Sequence, residues 1–165
     1  MLLGRLQSGE KVVRAERTLL TREGLEELVC ESLPHIESRR RPRIVKQVNF
    51  RRLVGLSPLV KTTPEDQIVY AVRLGGEFPC RFVKNRDPEP TTRIALFLQK
   101  YPDRDVYWVH TAYTGRLKRF TEPNEGDQFA RKEDCENAKK YWATHAFVYD
   151  AAKIILHSET TICPW

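Results

Sequence analysis

The sequence lacks the motifs by which several large enzyme classes are recognised. It has no glycine-rich phosphate-binding loop, no nucleophile elbow and no helix with paired zinc-binding histidines. No apolar run approaches the roughly 18 to 20 residues that span a membrane. The apolar part of Met1–Arg5 is also too short for a secretory signal. These absences predict a cytoplasmic protein that does not contact a membrane.

Closely spaced cysteines are also missing. The four cysteines lie 28 to 55 residues apart, at Cys30, Cys80, Cys135 and Cys163. Zinc sites usually recruit ligands about two to four residues apart, so we expect no metal and no cofactor. We interpret the cysteines as small buried apolar residues of a reducing compartment. Two disulfides are the alternative if the protein is exported.

Positive charge is grouped along the chain. The net charge is +6, and residues 1–61 hold 13 Lys and Arg against 7 Asp and Glu. Residues 81–119 hold 9 against 4. Charge grouped in this way favours a basic face that attracts phosphate backbones. The alternative is that the charge serves solubility alone.

The first clear element is a short amphipathic helix. Thr21 can cap it, and Pro34 ends it because proline cannot continue the backbone ladder. The apolar residues between them fall at helical spacing: Leu25, Leu28, Val29 and Leu33. Residues 1–20 lack such a period and are expected to form a loosely ordered arm.

Four consecutive segments then alternate as strands do, at 68–74, 78–84, 92–99 and 105–113. Short turns join them, including the hairpin signal Gly75-Gly76. Neighbouring strands joined by short turns are antiparallel. The segment 44–50 is a candidate first strand, and 55–66 is predicted to be a loop.

A second helix is predicted to begin near Lys132. Its apolar stripe holds Cys135, Ala138, Trp142, His145 and Ala146. The predicted fold is therefore α+β: an antiparallel meander of four to five strands with an N-terminal and a C-terminal helix packed on it. We expect one domain over 1–165, in which 65–150 form the sheet and the final helix.

The strand at 105–113 carries polar groups near its end. Thr111 and Tyr113 share one face, and His110 lies on the other unless a bulge reorients it. His145 is the second candidate histidine. Imidazoles can transfer protons and hydroxyl groups can donate to a phosphate, so these four residues suit metal-independent RNA cleavage. Two basic clusters could hold the phosphates: Arg39, Arg40, Arg41, and Arg116, Lys118, Arg119.

Three parts of the sequence together resemble a known pattern. They are the run from Trp108 to Tyr113, a loop with Pro123 and Asp127, and the run from Tyr141 to Ala146. Small uncharacterised bacterial and phage proteins have a strand ending in Thr-Ala-Tyr or Thr-Ala-Phe, followed by a Trp-x-x-His-Ala helix. The order of elements is also similar to the barnase/EndoU/colicin/RelE group of metal-independent ribonucleases. The resemblance covers about residues 65–150.

This resemblance implies an RNA-cleaving toxin or effector domain, with a protein inhibitor or antitoxin as a possible partner. Thr111 and Tyr113 would occupy the Thr-x-Tyr positions, with Arg81 or Lys84 nearby. The group usually takes its histidine from an earlier element, and here His35 is the only histidine before the sheet.

Three functions therefore stay open. The first is a metal-independent endoribonuclease that binds and cleaves RNA. The second is a non-catalytic module that binds nucleic acid or protein through its basic faces, with Tyr107, Trp108 and Tyr113 stacking on bases. The third is an enzyme with a small-molecule pocket near Tyr113 and His145. The sequence does not predict the oligomeric state.

Overall fold

A computed structural model describes residues 21–36, 41–124 and 131–165. These residues form two α-helices and nine strands. The helices are α1 (Arg22–Ser32) and α2 (Lys132–Trp142). The strands are β1 (Arg43–Asn49), β2 (Gly55–Ser57), β3 (Leu59–Lys61), β4 (Ile68–Val72), β5 (Pro79–Val83), β6 (Glu89–Thr91), β7 (Arg93–Lys100), β8 (Tyr107–Thr114) and β9 (His145–Val148). Neither described helix has the length or the apolar character that a membrane crossing needs.

The chain divides into two compact units. Unit 1 takes its described residues from Met1–Ser57 and Glu89–Leu117, and unit 2 takes them from Pro58–Pro88 and Lys118–Trp165. Helices combined with mainly antiparallel sheets confirm the predicted α+β class. The single domain over 1–165 stays a prediction, and the predicted arm at 1–20 lies outside the described residues.

Unit 1 is built from α1 and an antiparallel sheet in the order β1-β7-β8. Thr21 caps α1 as predicted, because its Oγ1 accepts the N–H of Gly24 at 3.2 Å. The apolar stripe of α1 packs on the alternate apolar residues of the sheet, including Leu96 and Val109. Full burial of one such side chain contributes about 1.5–3 kcal/mol. The resulting core fixes which sheet face points away from the helix.

A β-bulge interrupts the pairing of β7 with β8. Phe97 lies opposite Thr111, whereas the next residue, Leu98, lies opposite Val109. His110 is therefore the extra residue on β8, and it has no partner in the ladder. The bulge allows Val109 and Ala112 both to reach the core, although they are three residues apart.

The end of β8 is held against β2, which pairs with β6 in a separate two-stranded sheet. The Thr114 hydroxyl donates to the carbonyl oxygen of Leu56 at 2.7 Å. The next residue, Gly115, has a φ of +114°, and a Cβ added there would lie 2.3 Å from the Ser57 Oγ. Only glycine fits both the conformation and the space, so this contact fixes where the strand ends.

Unit 2 contains a four-stranded sheet in the order β3-β9-β5-β4. Strands β4 and β5 form the hairpin that Gly75-Gly76 predicted, with Gly75 at a φ of +72°. Pairing is antiparallel except between β5 and β9, which run parallel. Trp142 of α2 is fully buried in the core of this unit, and its indole Nε1 donates to the carbonyl oxygen of Thr121 at 3.0 Å.

The predicted single meander is not the observed topology. The hairpin of β4 and β5 belongs to unit 2, and the hairpin of β7 and β8 belongs to unit 1. Each hairpin pairs instead with a strand distant in sequence: β5 with β9, and β7 with β1. The two helices likewise belong to different units, with α1 packed in unit 1 and α2 in unit 2.

Two local predictions also need correction. Helix α2 ends at Trp142, so His145 and Ala146 lie on β9 and not on a helical stripe. The predicted loop at 55–66 contains the short strands β2 and β3, whose three residues each are too few to show a clear period.

Candidate nucleic-acid interface

The sheet of unit 1 has a face that points away from α1, which we call the outer face. Side chains alternate along a strand, so this face follows from the core positions and the register. Three rows cross it from β1 to β8: Arg43–Gln99–Trp108, Val45–Phe97–Thr111 and Gln47–Ala95–Tyr113. Its twelve residues are Arg43, Val45, Gln47, Asn49, Arg93, Ala95, Phe97, Gln99, Trp108, His110, Thr111 and Tyr113.

The bulge brings His110 to the same face as Thr111. The imidazole of His110 contacts the Trp108 ring edge-on, with centroids 5.1 Å apart and planes at 87°. His110 is exposed, and Trp108 and Thr111 are partly exposed. Simple alternation would have placed His110 and Thr111 on opposite faces of the sheet. The bulge places them on the same face. Three of the four predicted catalytic residues thus lie on the outer face.

Tyr113 lies on this face but is only 4% exposed. Its ring stacks on Phe97, with centroids 6.2 Å apart and planes at 28°. Phe97 itself is partly exposed. A ligand on the outer face would therefore meet Phe97, and the tyrosine would support that ring from the side.

The outer face is positive and apolar at the same time. Its charged residues are Arg43 and Arg93, and none of its twelve residues, all described, is Asp or Glu. Val45, 45% exposed, adds apolar surface beside Phe97. Aromatic rings, an apolar floor and cations without carboxylates are the ingredients of a surface that binds single-stranded nucleic acid.

His145 lies in unit 2 and is partly buried. Its ring is stacked on Tyr141, with centroids 4.1 Å apart and planes at 8°. Its Nδ1 lies 3.0 Å from both the Tyr141 carbonyl oxygen and the Thr144 Oγ1. The predicted catalytic set is therefore divided, with His145 in one unit and the other three residues in the other.

Arg81 and Lys84, which the resemblance assigned to RNA binding, make contacts within unit 2. Arg81 Nη1 donates to the carbonyl oxygens of Trp142 and His145 at 2.8 and 3.0 Å. These bonds satisfy carbonyl groups where α2 ends. Lys84 pairs with Glu159 and lies over the Tyr149 ring, 4.7 Å from its centroid. Binding of RNA by these two residues stays a prediction.

Lys118 is part of a buried ionic group that the sequence did not reveal. Its ammonium lies 2.8 Å from Glu122, whose other oxygen is 3.4 Å from Arg73. Glu122 is 0% exposed. Burial alone would raise the pKa of this carboxyl, but Lys118 and Arg73 outweigh it and hold the pKa below its usual range. The geometry gives Lys118 a structural role.

The other basic residues predicted to bind nucleic acid are either exposed or outside the described residues. Arg41, Arg116 and Arg119 are exposed, and Arg39 and Arg40 lie outside the described residues. Tyr107, a predicted stacking residue, packs against the core of unit 1 on the side of α1, and its hydroxyl donates to the Arg41 carbonyl oxygen at 2.6 Å.

Cysteine burial is uneven. All four cysteines are free thiols, and only Cys80 is buried as predicted, whereas Cys30 and Cys163 are exposed. Burial raises the pKa of the Cys80 thiol to about 12. The described residues contain no group of three or more His, Cys, Asp or Glu side chains that could hold a metal ion.

Sequence reasoning missed the outer-face residues on β1 and β7, namely Arg43, Val45, Gln47, Phe97 and Gln99. Alternation placed Phe97 on one side of a strand, but only the pairing of β7 with β1 and β8 puts these side chains beside Trp108. The available sequence signal was the mixture of polar and apolar residues over 43–49, which is typical of a strand with only one face buried.

Comparison with known proteins defines the fold but no family. No protein-family model matches the chain, and no curated protein matches it. A solved structure of a conserved hypothetical protein from Toxoplasma gondii ME49 is similar, with a TM-score of 0.55 and 13% identity. The likeness covers 86% of this chain and 92% of that one. At this identity the likeness shows the fold alone.

Proposed function

We propose that the protein binds single-stranded RNA on the outer face of unit 1. The observation that carries this proposal is the row Arg43–Gln99–Trp108 beside the row Val45–Phe97–Thr111, with no carboxylate on the face. Bases stack on aromatic rings, and each stacked base contributes about 1–3 kcal/mol. Arg43 and Arg93 supply attraction for the backbone phosphates.

A sheet surface of this kind favours single strands over duplexes. Unpaired bases can lie flat on exposed rings, whereas the bases of a duplex already stack on one another. The polar groups between the rings are amides, a hydroxyl and an imidazole, all of which can bond to base edges or to the 2′-hydroxyl. The proposal corresponds to the non-catalytic alternative raised by the sequence.

The test is fluorescence anisotropy with a labelled single-stranded RNA and a duplex of the same length, over a range of salt concentrations. The expected result is preferential binding of the single strand, weakening with salt by a slope of roughly −0.7 per neutralised phosphate. Equal or stronger binding of the duplex would contradict the assignment to the outer face. Absence of binding to both would overturn the proposal.

Metal-independent cleavage is the second candidate, and one observation favours it: the bulge that places His110 beside Thr111. In this reaction His110 takes the proton of a 2′-hydroxyl, whose oxygen attacks the adjacent phosphorus. The bond to the 5′-oxygen breaks, that oxygen takes a proton from water, the His110 imidazolium returns its proton to the solvent, and a 2′,3′-cyclic phosphate remains. The Thr111 hydroxyl would donate to a phosphate oxygen. Since His110 is the single imidazole on the outer face, binding has the stronger support.

A further inference from the structure

Gln47 lies on the edge strand of the outer face, and one end of its amide is already occupied. Its Oε1 accepts the N–H of Leu117 at 2.9 Å. Since an N–H can donate only to the oxygen, this bond fixes which way round the amide lies. The side chain is exposed, and no described residue accepts from its Nε2. The end left for a ligand is therefore a donor.

An apolar floor adjoins this donor. Val45 precedes Gln47 by two residues on the same face, and Phe97 is paired with Val45 on the next strand. Val45 is 45% exposed and Phe97 is partly exposed. Neighbours of this kind on a sheet lie roughly 5–8 Å apart. A base lying on Val45 and Phe97 would bring its edge within reach of the Gln47 amide.

We propose that Gln47 selects the base on this floor and favours uracil and guanine, which have a keto oxygen at C4 or C6, over cytosine and adenine, which have an amino group there. The inference rests on the proposed RNA binding and specifies its substrate class. The keto oxygens of uracil and guanine accept a hydrogen bond, whereas cytosine and adenine present an amino group at the equivalent position. The Gln47 amide N–H and the amino group of cytosine or adenine are both donors, so neither can pair with the other. That arrangement is disfavoured once water is excluded.

Gln99 provides the internal comparison. It lies on the same face between Arg43 and Trp108, and neither end of its amide has a partner among the described residues. Its amide can turn over and offer either a donor or an acceptor. Gln99 can therefore bond to either kind of base edge and does not discriminate between them.

The experiment compares oligouridylate with oligocytidylate, each of about 12 nucleotides, by fluorescence anisotropy at one salt concentration. For the wild-type protein the expected Kd is at least about fivefold lower for oligouridylate. Gln47→Glu keeps an acceptor for the Leu117 N–H but replaces the donor with an acceptor, so the preference should reverse toward oligocytidylate. Gln47→Leu should remove the preference.

Gln99→Glu is the matched control, because it adds the same charge to the same face. Both affinities should fall in this variant while their ratio is unchanged. Equal Kd values for the wild type, or an unchanged ratio in a folded Gln47→Glu or Gln47→Leu variant, would overturn selection by Gln47 and leave RNA binding intact. Failure of the wild type to bind either oligomer would overturn the proposed function together with this inference.

Discussion

The imidazole of His110 lies edge-on against the indole of Trp108, with ring centroids 5.1 Å apart. The two residues are two apart on β8, so alternation places them on one face, and the bulge at His110 adds Thr111 to that face. This arrangement groups an indole ring, an imidazole and a hydroxyl on one surface. The binding and cleavage proposals both depend on this grouping.

Trp108→Ala should weaken binding of single-stranded RNA by roughly 5- to 150-fold, which corresponds to the loss of about 1–3 kcal/mol of stacking. Trp108→Phe keeps a ring and should retain most of the affinity. Anisotropy titrations measure both variants, and circular dichroism verifies that they are folded. An unchanged Kd for a folded Trp108→Ala protein would remove Trp108 from the interface.

If the outer face also cleaves RNA, the wild type should release 2′,3′-cyclic phosphate ends in the presence of EDTA. His110→Ala should then slow cleavage by about 100-fold or more, since general acid–base groups contribute that much. His35→Ala is the matched control, because His35 is another exposed histidine of unit 1 outside the sheet. If His110→Ala cleaves RNA as fast as the wild type, His110 does not take part in cleavage. If the wild type does not cleave RNA, binding is the function.

Gly115→Ala should destabilise the fold by more than the roughly 1–3 kcal/mol of backbone strain alone, because its Cβ would also collide with Ser57. Gly75→Ala introduces backbone strain at a positive φ of +72° without a collision, since nothing lies within 4 Å of its added Cβ. Urea denaturation measures both free energies of unfolding. Equal losses in the two variants would contradict a steric role for the contact with Ser57.

Stability should fall in acid through Glu122. Its folded-state pKa lies below the unfolded value near 4.5, so its contribution is complete above that pH and is lost as the pH falls through the folded-state pKa. Glu122→Gln should cost about 3–5 kcal/mol near pH 7, because Lys118 and Arg73 lose their counter-charge, and the acid dependence should flatten. Glu136→Gln alters an exposed carboxylate and should leave the profile unchanged. Thermal melts from pH 7 to about pH 3 test this, and a Glu122→Gln profile as steep as that of the wild type would contradict it.

Local sequence signals predicted the elements well where their physical cause is local. The Thr21 cap and the spacing of Leu25, Leu28 and Val29 predicted α1, and Gly75-Gly76 predicted the turn between β4 and β5. Which strands become neighbours depends on distant parts of the chain. The pairings of β5 with β9 and of β7 with β1 therefore left no local trace.

The sequence predicted the part of the candidate site that lies on one strand, β8, but not the part that depends on strand pairing. The sequence placed Thr111 and Tyr113 on one face and His110 on the other unless a bulge reoriented it, and the structure has a bulge at His110. The bulge allows Val109 and Ala112 both to enter the core, together with α1 residues distant in sequence, so β8 alone does not reveal it. The contacts of Arg81 with Trp142 and His145 depend on where α2 ends, which its apolar stripe did not reveal.

Val45→Glu tests the central claim most directly, because it puts a carboxylate on the apolar floor of the outer face without burying it. Leu53→Glu is the matched control: Leu53 is also an exposed apolar residue of unit 1, 68% exposed, and lies outside the sheet. We predict that Val45→Glu abolishes measurable binding of single-stranded RNA, while Leu53→Glu keeps a Kd close to that of the wild type. If both folded variants bind with the same Kd, the outer face is not where RNA binds.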